Sequence, residues 1–345
     1  MMLSHNSAVS NITKKITAIV NSANSKEEFN RALKLSTDFG QPLKYNNANL
    51  YITACSALII CLFAIALGYQ STNGGPWDNI FICVIAVSLV VTLISLGICL
   101  FRKSKIQKIS NQIYTGIALL DYGINPLPRY NGRVNQLLDD FLEFDRGNYS
   151  RKIMYEYETF PESETQFNFY RFEYVDKIEK EETTSDSKGN TTTRTVTHYE
   201  HYYRYGLITD YHLFSNIAVI SNGAVPFRTK YQPASMELSK YFKFGAESEL
   251  ELAKWLKPTI VEILLDARQI FKNLNIEINH DGIMCISFST DDVIKTKHQY
   301  NLENIDDFKT ELQTENKLPK LKQLIDFYKR IIKYTDNNFS NKDVI

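Results

Sequence analysis

The sequence predicts an α+β protein carried on a two-helix membrane anchor, and three observations predict it. Two long uncharged apolar runs occupy residues 50–69 and 79–101, period-two alternation of apolar and polar residues dominates 151–232, and helical spacing returns between 245 and 335 around one short hairpin. The organisation expected from these patterns is an N-terminal segment 1–49, a transmembrane hairpin 50–101, a helical stalk and linker 102–130, and an α+β domain 131–345 with a polar β-arm near 179–197.

In chain order, residues 1–24 are rich in Ser and Asn and are expected to be partly disordered. Ser25 with Glu28 three residues on forms a capping box for a short amphipathic helix, with Phe29, Ala32, Leu33 and Phe39 on its apolar side and Gly40 and Pro42 closing it. That helix either lies on a membrane surface or packs against the soluble domain, the second being favoured.

No charged residue occurs between Lys44 and Asp78. The run 79–101 carries fifteen Leu, Ile, Val or Phe residues, so its transfer into lipid is favoured by several kcal/mol at roughly −0.3 to −0.6 kcal/mol each. Neither run has the polar side that a soluble core helix normally shows, and the first begins too late and runs too long for a secretory signal. Arg102, Lys103, Lys105 and Lys108 follow the second span and Lys44 precedes the first, while the connecting segment has no Lys or Arg, so both termini are expected in the cytoplasm. Trp77 fits the outer interface, and Gly74, Gly75 and Pro76 supply the reversal.

Past the second span, Ile106, Ile109, Ile113, Ile117 and Leu120 continue at helical spacing, which predicts a stalk ending at Gly123 before Pro126 and Pro128. An apolar stripe on a stalk needs cover, either from the soluble domain folding back or from a second copy through stalk and spans. Val134, Leu137, Leu138, Phe141 and Leu142 mark a further helix ended near Gly147.

The segments 151–160, 167–179, 195–208 and 213–221 read as strands of a mostly antiparallel sheet. Between two of them lies EKEETTSDSKGNTTTRT, too polar to bury on either side, whose centre at Lys188, Gly189 and Asn190 suits a hairpin tip. Two readings of this arm, with Arg194 on its return strand, are a solvated hairpin and an edge that recruits another chain by strand addition. Residues 245–271 read as helix on both sides of Pro258, 275–289 as a hairpin turning at Asp281 and Gly282, and 319–335 as a final helix with Leu321, Leu324, Ile325, Tyr328, Ile331 and Ile332 on one side.

The block from Leu207 to Ser289, above all AESELELAKWLKP with its Leu-x-Pro step followed by an amphipathic helix and a short hairpin, resembles a bacterial membrane-protein family that carries domain of unknown function 3137. The resemblance covers about half of the soluble domain, and the spans by pattern only. It implies a bacterial inner-membrane location and the layout of two spans before a cytoplasmic α+β domain. It implies no activity, and the Thr-rich stretch 183–197 departs from it.

The charge balance, 39 basic against 39 acidic residues, offers no overall field for nucleic acid, and no nucleic-acid partner is expected. Four of the five cysteines lie in the spans and Cys285 in an apolar strand, which excludes a disulfide framework. His198, Glu200 and His212 form the one weak metal or acid-base candidate; His198 and His201 point to opposite faces of a strand, and ordinary strand packing is favoured. Tyr199, Tyr202, Tyr203 and Tyr205, with Tyr170 and Tyr174 opposite, form either a stacking surface or sheet packing, again favouring packing. Phosphate-loop, dinucleotide and nucleophile-elbow motifs are missing, and Asp291-Asp292 and Asp306-Asp307 lack calcium-loop spacing. No catalytic residue, cofactor or metal is therefore expected. The expected role is a membrane-anchored interaction or scaffold module, with a tethered enzyme using the His198, Glu200 and His212 region, or a pore or transporter subunit, as alternatives.

Overall fold

The computed structural model describes residues 2–70, 77–128, 130, 132–163, 166–185, 191–227, 231–289, 292–315 and 317–335. In chain order its helices are α1 (Met2–Ser22), α2 (Lys26–Asp38), α3 (Ala48–Gln70), α4 (Trp77–Asp121), α5 (Arg133–Asp140), α6 (Met236–Tyr241), α7 (Glu249–Trp255), α8 (Pro258–Ile270), α9 (Ile305–Leu312) and α10 (Pro319–Thr335). The strands are β1 (Ile124–Pro126), β2 (Ser150–Thr159), β3 (Asn168–Ser185), β4 (Thr191–Asp210), β5 (Ile217–Ile220), β6 (Lys243–Ala246), β7 (Asn275–Ile278) and β8 (Ile283–Phe288). The fold is α+β, as the sequence predicts. The chain divides into two units, Met1–Leu120 with Thr296–Lys317, and Asp121–Lys295 with Leu318–Ile345.

In the first unit, α3 and α4 are long and apolar enough to cross a membrane, and they are turned inside out relative to a soluble core. Ala54, Ala57, Cys61 and Ala64 of α3 and Ser88, Thr92, Ser95 and Cys99 of α4 are buried, at alternating three- and four-residue spacing. Large residues such as Leu62, Phe63, Val87, Leu93, Leu100 and Phe101 point outward. Small residues let helix backbones approach where lipid removes any hydrophobic reason to bury large ones. Ser88 and Thr92 satisfy their hydroxyls on the carbonyls of Ile85 and Ser88 within the helix, each at 2.9 Å. At the basic end, Arg102 donates to Asn47 Oδ1 at 2.7 Å and lies over the Tyr45 ring, tying the start of α3 to α4. The reversal at 71–76 and the side chain of Trp77 lie outside the described residues.

The rest of α4 is the predicted stalk, and its stripe is covered by the same chain. Ile106, Ile109, Ile113, Tyr114 and Ile117 form one core with Val9, Ile16 and Val20 of α1, Phe29, Ala32 and Leu33 of α2, and Leu302, Phe308 and Leu312. Gly116 admits the Phe29 ring, since a Cβ there would lie 2.2 Å from Phe29 Cζ. Ser25 caps α2 by accepting from Glu28 N at 3.3 Å, while the Glu28 carboxylate accepts from Asn24 N at 2.7 Å rather than completing the predicted reciprocal box.

Two expectations are corrected here. Residues 2–22 are helical rather than disordered, because Val9, Ile16 and Val20 repeat at helical spacing among the polar residues and find a stripe to cover. Residues 296–317 leave the expected 131–345 domain and dock along α4. Ser110 Oγ accepts from Leu302 N at 3.0 Å, Asn301 donates to Gln107 at 3.0 Å, and His298 stacks on Tyr114 with ring centroids 5.1 Å apart.

In the second unit all eight strands form one antiparallel sheet in the order β1-β2-β3-β4-β8-β7-β5-β6. The hairpin read at 275–289 inserts as β7 and β8 between β4 and β5, so it joins the main sheet rather than standing apart. Gly282, at φ 75°, makes its turn. Residues 243–246 are an edge strand, not the start of a helix; the helix begins only after Ser248, whose hydroxyl accepts from Glu251 N. Leu250 is exposed, and Leu252 and Trp255 face the core.

One sheet face packs Tyr170, Phe172, Ile208 and Cys285 under Leu137, Phe141 and Phe144. On the other, Phe288 meets Phe271 at 4.8 Å between centroids, and Phe271 meets Phe327 of α10 at 5.9 Å. Thr209 of β4 shares a 2.7 Å hydrogen bond with Tyr328 of α10.

Candidate functional site

The most distinctive feature of the sheet is how far β3 and β4 outrun their neighbours. β2 pairs with β3 only as far as Val175, and β8 pairs with β4 only from Tyr205. Beyond those limits β3 and β4 continue as a two-stranded ribbon in unbroken register to Ser185 opposite Thr191. Ten residues at about 3.3 Å each make a ribbon of roughly 33 Å. The predicted polar arm is therefore a regular hairpin, and its tip, with Lys188 and Gly189, lies outside the described residues.

Alternation sorts the arm's side chains between two faces. One carries Lys177 opposite Tyr199, Glu179 opposite Thr197 and Glu181 opposite Thr195; the other carries Asp176 opposite Glu200, Ile178 opposite His198, Lys180 opposite Val196 and Glu182 opposite Arg194. Arg194 pairs with Glu182 at 3.3 Å, and His198 lies 3.8 Å from the same carboxylate. The Tyr202 hydroxyl donates to Glu200.

The register separates the weak metal candidates. His198 and Glu200 share a face, but His212 lies past the far end of β4, its Nδ1 3.0 Å from Asp281 O. The twelve strand residues from His198 to the end of β4 at Asp210, at about 3.3 Å each, put it roughly 40 Å from His198, so the three cannot meet. Among the described residues no group of three or more His, Cys, Asp or Glu could hold a metal ion.

The tyrosine cluster divides in the same way. Tyr202 stacks on Tyr174 at 5.1 Å on one face, while Tyr199 packs against Tyr149 at 4.7 Å on the other, and Arg171 lies over Tyr203 at 4.4 Å. Tyr170 is opposite Gly206 and buried beside Cys285, to which it is hydrogen-bonded at 3.3 Å. This is sheet packing, with no continuous stacking platform.

The base of the arm holds an arrangement the sequence did not announce. Arg204 is the last residue of β4 before β8 joins it, and it is 2% exposed. Its guanidinium donates from Nε and Nη2 to Glu143, from Nη2 to Ser287 Oγ at 2.9 Å, and from Nη1 to Asn273 O at 2.9 Å. Glu143, on the short 3-10 turn Leu142–Phe144, also accepts from Arg146 at 2.9 Å and from Asn275 at 2.8 Å. Burial pushes the Glu143 carboxyl up, but Arg204 and Arg146 more than offset it, and the net position is below the ordinary carboxylate range.

Glu277 of β7 lies on the same face and accepts from Leu142 N at 2.8 Å. Burial, reinforced by the Glu143 charge, pushes it up to about 8, so it is mainly neutral at pH 7. It borders a cavity of about 490 Å³ lined also by Asp139, Asp140, Asn216, Glu247 and His280. The carboxyl, however, is engaged with the turn rather than presented alone. Arg146 Nε is buried without a hydrogen-bond partner, but the Glu143–Arg204 pair itself is engaged on both sides, and such a buried pair orients the elements that carry it. Here it locks the 142–146 segment to β4, β7 and β8 at the point where the arm departs.

Each of these residues, met alone in sequence, resembles a surface charge. Only the clustering of Arg204 within an aromatic strand is a local signal that it is buried.

Compared with protein-family models, curated proteins and solved structures, the chain matches none.

Proposed function

We propose that this protein is a membrane-anchored scaffold. In this reading α3 and α4 cross the bacterial inner membrane, both termini are cytoplasmic, and the α+β unit is an interaction module whose arm recruits a protein partner. The resemblance to the family that carries domain of unknown function 3137 belongs to the same proposal. The observation that carries it is the inside-out build of α3 and α4. Only 22% and 17% of their most apolar windows are buried, which is the reverse of a soluble core helix. Lys44, Lys103 and Lys108 are exposed, with Arg102 and Lys105 half-buried, all at the end expected on the cytoplasmic side.

The reading as a non-enzymatic module is supported by the separation of His198 and Glu200 from His212, and by Glu143 and Arg204 being sealed and mutually satisfied. Neither apolar run contains Asp, Glu, Lys, Arg or His, which disfavours conduction. The test is fractionation of the full chain carrying a reporter at its C-terminus. Recovery in the membrane pellet after alkaline carbonate, with a cytoplasmic reporter, is expected; a soluble product or a periplasmic reporter overturns the reading.

A further inference from the structure

The arm's two outer edges differ in what they can accept. Along β3, Asn148 closes the edge at Lys177 by accepting from its N–H at 2.7 Å and donating to its carbonyl at 3.2 Å. Beyond that point, every antiparallel self-pairing centred on 180, 181 or 182 sets Lys180, Glu181 or Glu182 against its own copy. Along β4, residues 194–200 have no strand on their outer side among the described residues. Open edges of this length are normally blocked by like charge or bulges, because they template pairing. This one instead is self-complementary. Centred on Thr197, it sets Arg194 opposite Glu200, Thr195 opposite Tyr199, and Val196 opposite His198, with each pair repeated by symmetry.

We propose that the β4 edge of the arm pairs antiparallel with the same edge of a second copy of this chain, Thr197 facing Thr197 across a two-fold axis perpendicular to the ribbon. The pairing is isologous, so it closes as a dimer and leaves the acidic β3 edge outermost. Directly opposed residues share a face in such a pair, which brings Arg194 of each copy to Glu200 of the other. Arg194 already leans on Glu182 from the adjacent strand, so it would sit between two carboxylates. The inference rests on the reading of the chain as a membrane-held interaction module, since two anchored copies meet at a far higher effective concentration than free ones.

The test uses Thr197→Cys in the full chain in native membranes, under a mild oxidant. Opposed Cα atoms of an antiparallel pair lie about 4.5–5.5 Å apart, within disulfide range. Thr197 is exposed, so the substitution leaves the fold intact. A disulfide-linked dimer is expected from Thr197→Cys, and none from Lys180→Cys on the other edge or from the parent with its five native cysteines. In the Thr197→Cys background, Arg194→Glu alone and Glu200→Arg alone should each deplete the dimer, and the two together should restore it. A role of Arg194 confined to Glu182 in its own chain predicts no such rescue. Monomer only, which β3 pairing with β4 would also give because β3 carries no cysteine, or a cross-link to a different protein would each overturn the inference. If Thr197→Cys stays monomeric while the protein remains in the membrane pellet, the dimer falls and the anchor stands; if the parent is soluble, the anchor reading itself falls.

Discussion

Replacing Leu89 and Leu93 together by Arg separates a lipid-facing helix from a water-facing one. The two are one turn apart near the centre of the second apolar run, and they are 46% and 69% exposed. The fifteen Leu, Ile, Val and Phe residues of that run favour insertion by about 4.5–9 kcal/mol at roughly −0.3 to −0.6 each. Each central Arg costs about 2.5–3.5 kcal/mol and also removes a leucine, so the pair shifts the balance by about 6–8 kcal/mol. That erases most or all of the driving force. In water the same changes, at positions with no partner to lose, would cost within about 0.5 kcal/mol each. The assay is the carbonate-resistant fraction of the full chain in membranes, beside Ser88→Ala, which alters a buried small residue without adding charge. Loss of the carbonate-resistant fraction for the double variant alone is expected. A double variant that partitions and melts like its parent would refute the claim that lipid surrounds this side of α4.

Three further outcomes follow from the second unit. Glu143→Gln leaves Arg204 and Arg146 buried without a counter-charge, which costs about 3–5 kcal/mol and lowers Tm by about 6–20 °C at roughly 2–4 °C per kcal/mol. Arg330→Ala, which breaks the exposed pair with Asp266, should cost no more than about 1 kcal/mol, and thermal melts that do not separate the two would contradict the lock. Glu277 is raised in the folded state, so the fold binds the extra proton between the ordinary carboxylate value of 4.5 and about 8. Its contribution makes stability fall as pH rises across that window and level off above it, and a Glu277→Gln chain whose denaturant midpoint keeps the same slope over that window would rule this out. Gly206→Ala places a Cβ 2.0 Å from Ile286 O and 2.7 Å from the Tyr170 hydroxyl, so β4 must part from β8 and a loss of about 1–3 kcal/mol or more is expected; parental stability in urea would show the sheet to be looser than its register.

What was legible in the sequence was whatever a local pattern could carry. The two apolar runs, the continuation of α4 to Asp121, the alternation in β2 to β4 and the apolar side of α10 are each written within one window of residues. α1 is masked by its composition: Ser and Asn are frequent, but Val9, Ile16 and Val20 still fall on one side. The docking of Leu302, Phe308 and Leu312 carries no local mark, because its partner stripe at 106–117 lies far away in the chain. The same holds for Glu143, which bonds to residues from two separate strands, β4 and β7. For His198 and His212, alternation told which way each side chain faces but not where along the strand it stands. Only the register of β4 against β3 and β8 settles that.

The first unit is assembled from segments that lie on either side of residues 121–295 in the chain. The helices α1, α2 and α3, and α4 as far as Leu120, precede the whole of 121–295, while Leu302, Phe308 and Leu312 come after it. Loop-closure entropy grows only slowly with the length of chain enclosed, so the separation costs little at equilibrium, but it fixes an order. Until Leu302, Phe308 and Leu312 are made, the described core partners of the Ile106 to Ile117 stripe are α1, α2 and the segment around Leu43. Ser110 Oγ, Gln107 and Asn111, which bond to Leu302, Asn301 and His298 in the finished fold, have no partners from that segment. A chain cut after the sheet is therefore not the first unit intact. It is a stalk with part of its apolar face bare, and any association it shows reports that exposed stripe rather than the arm.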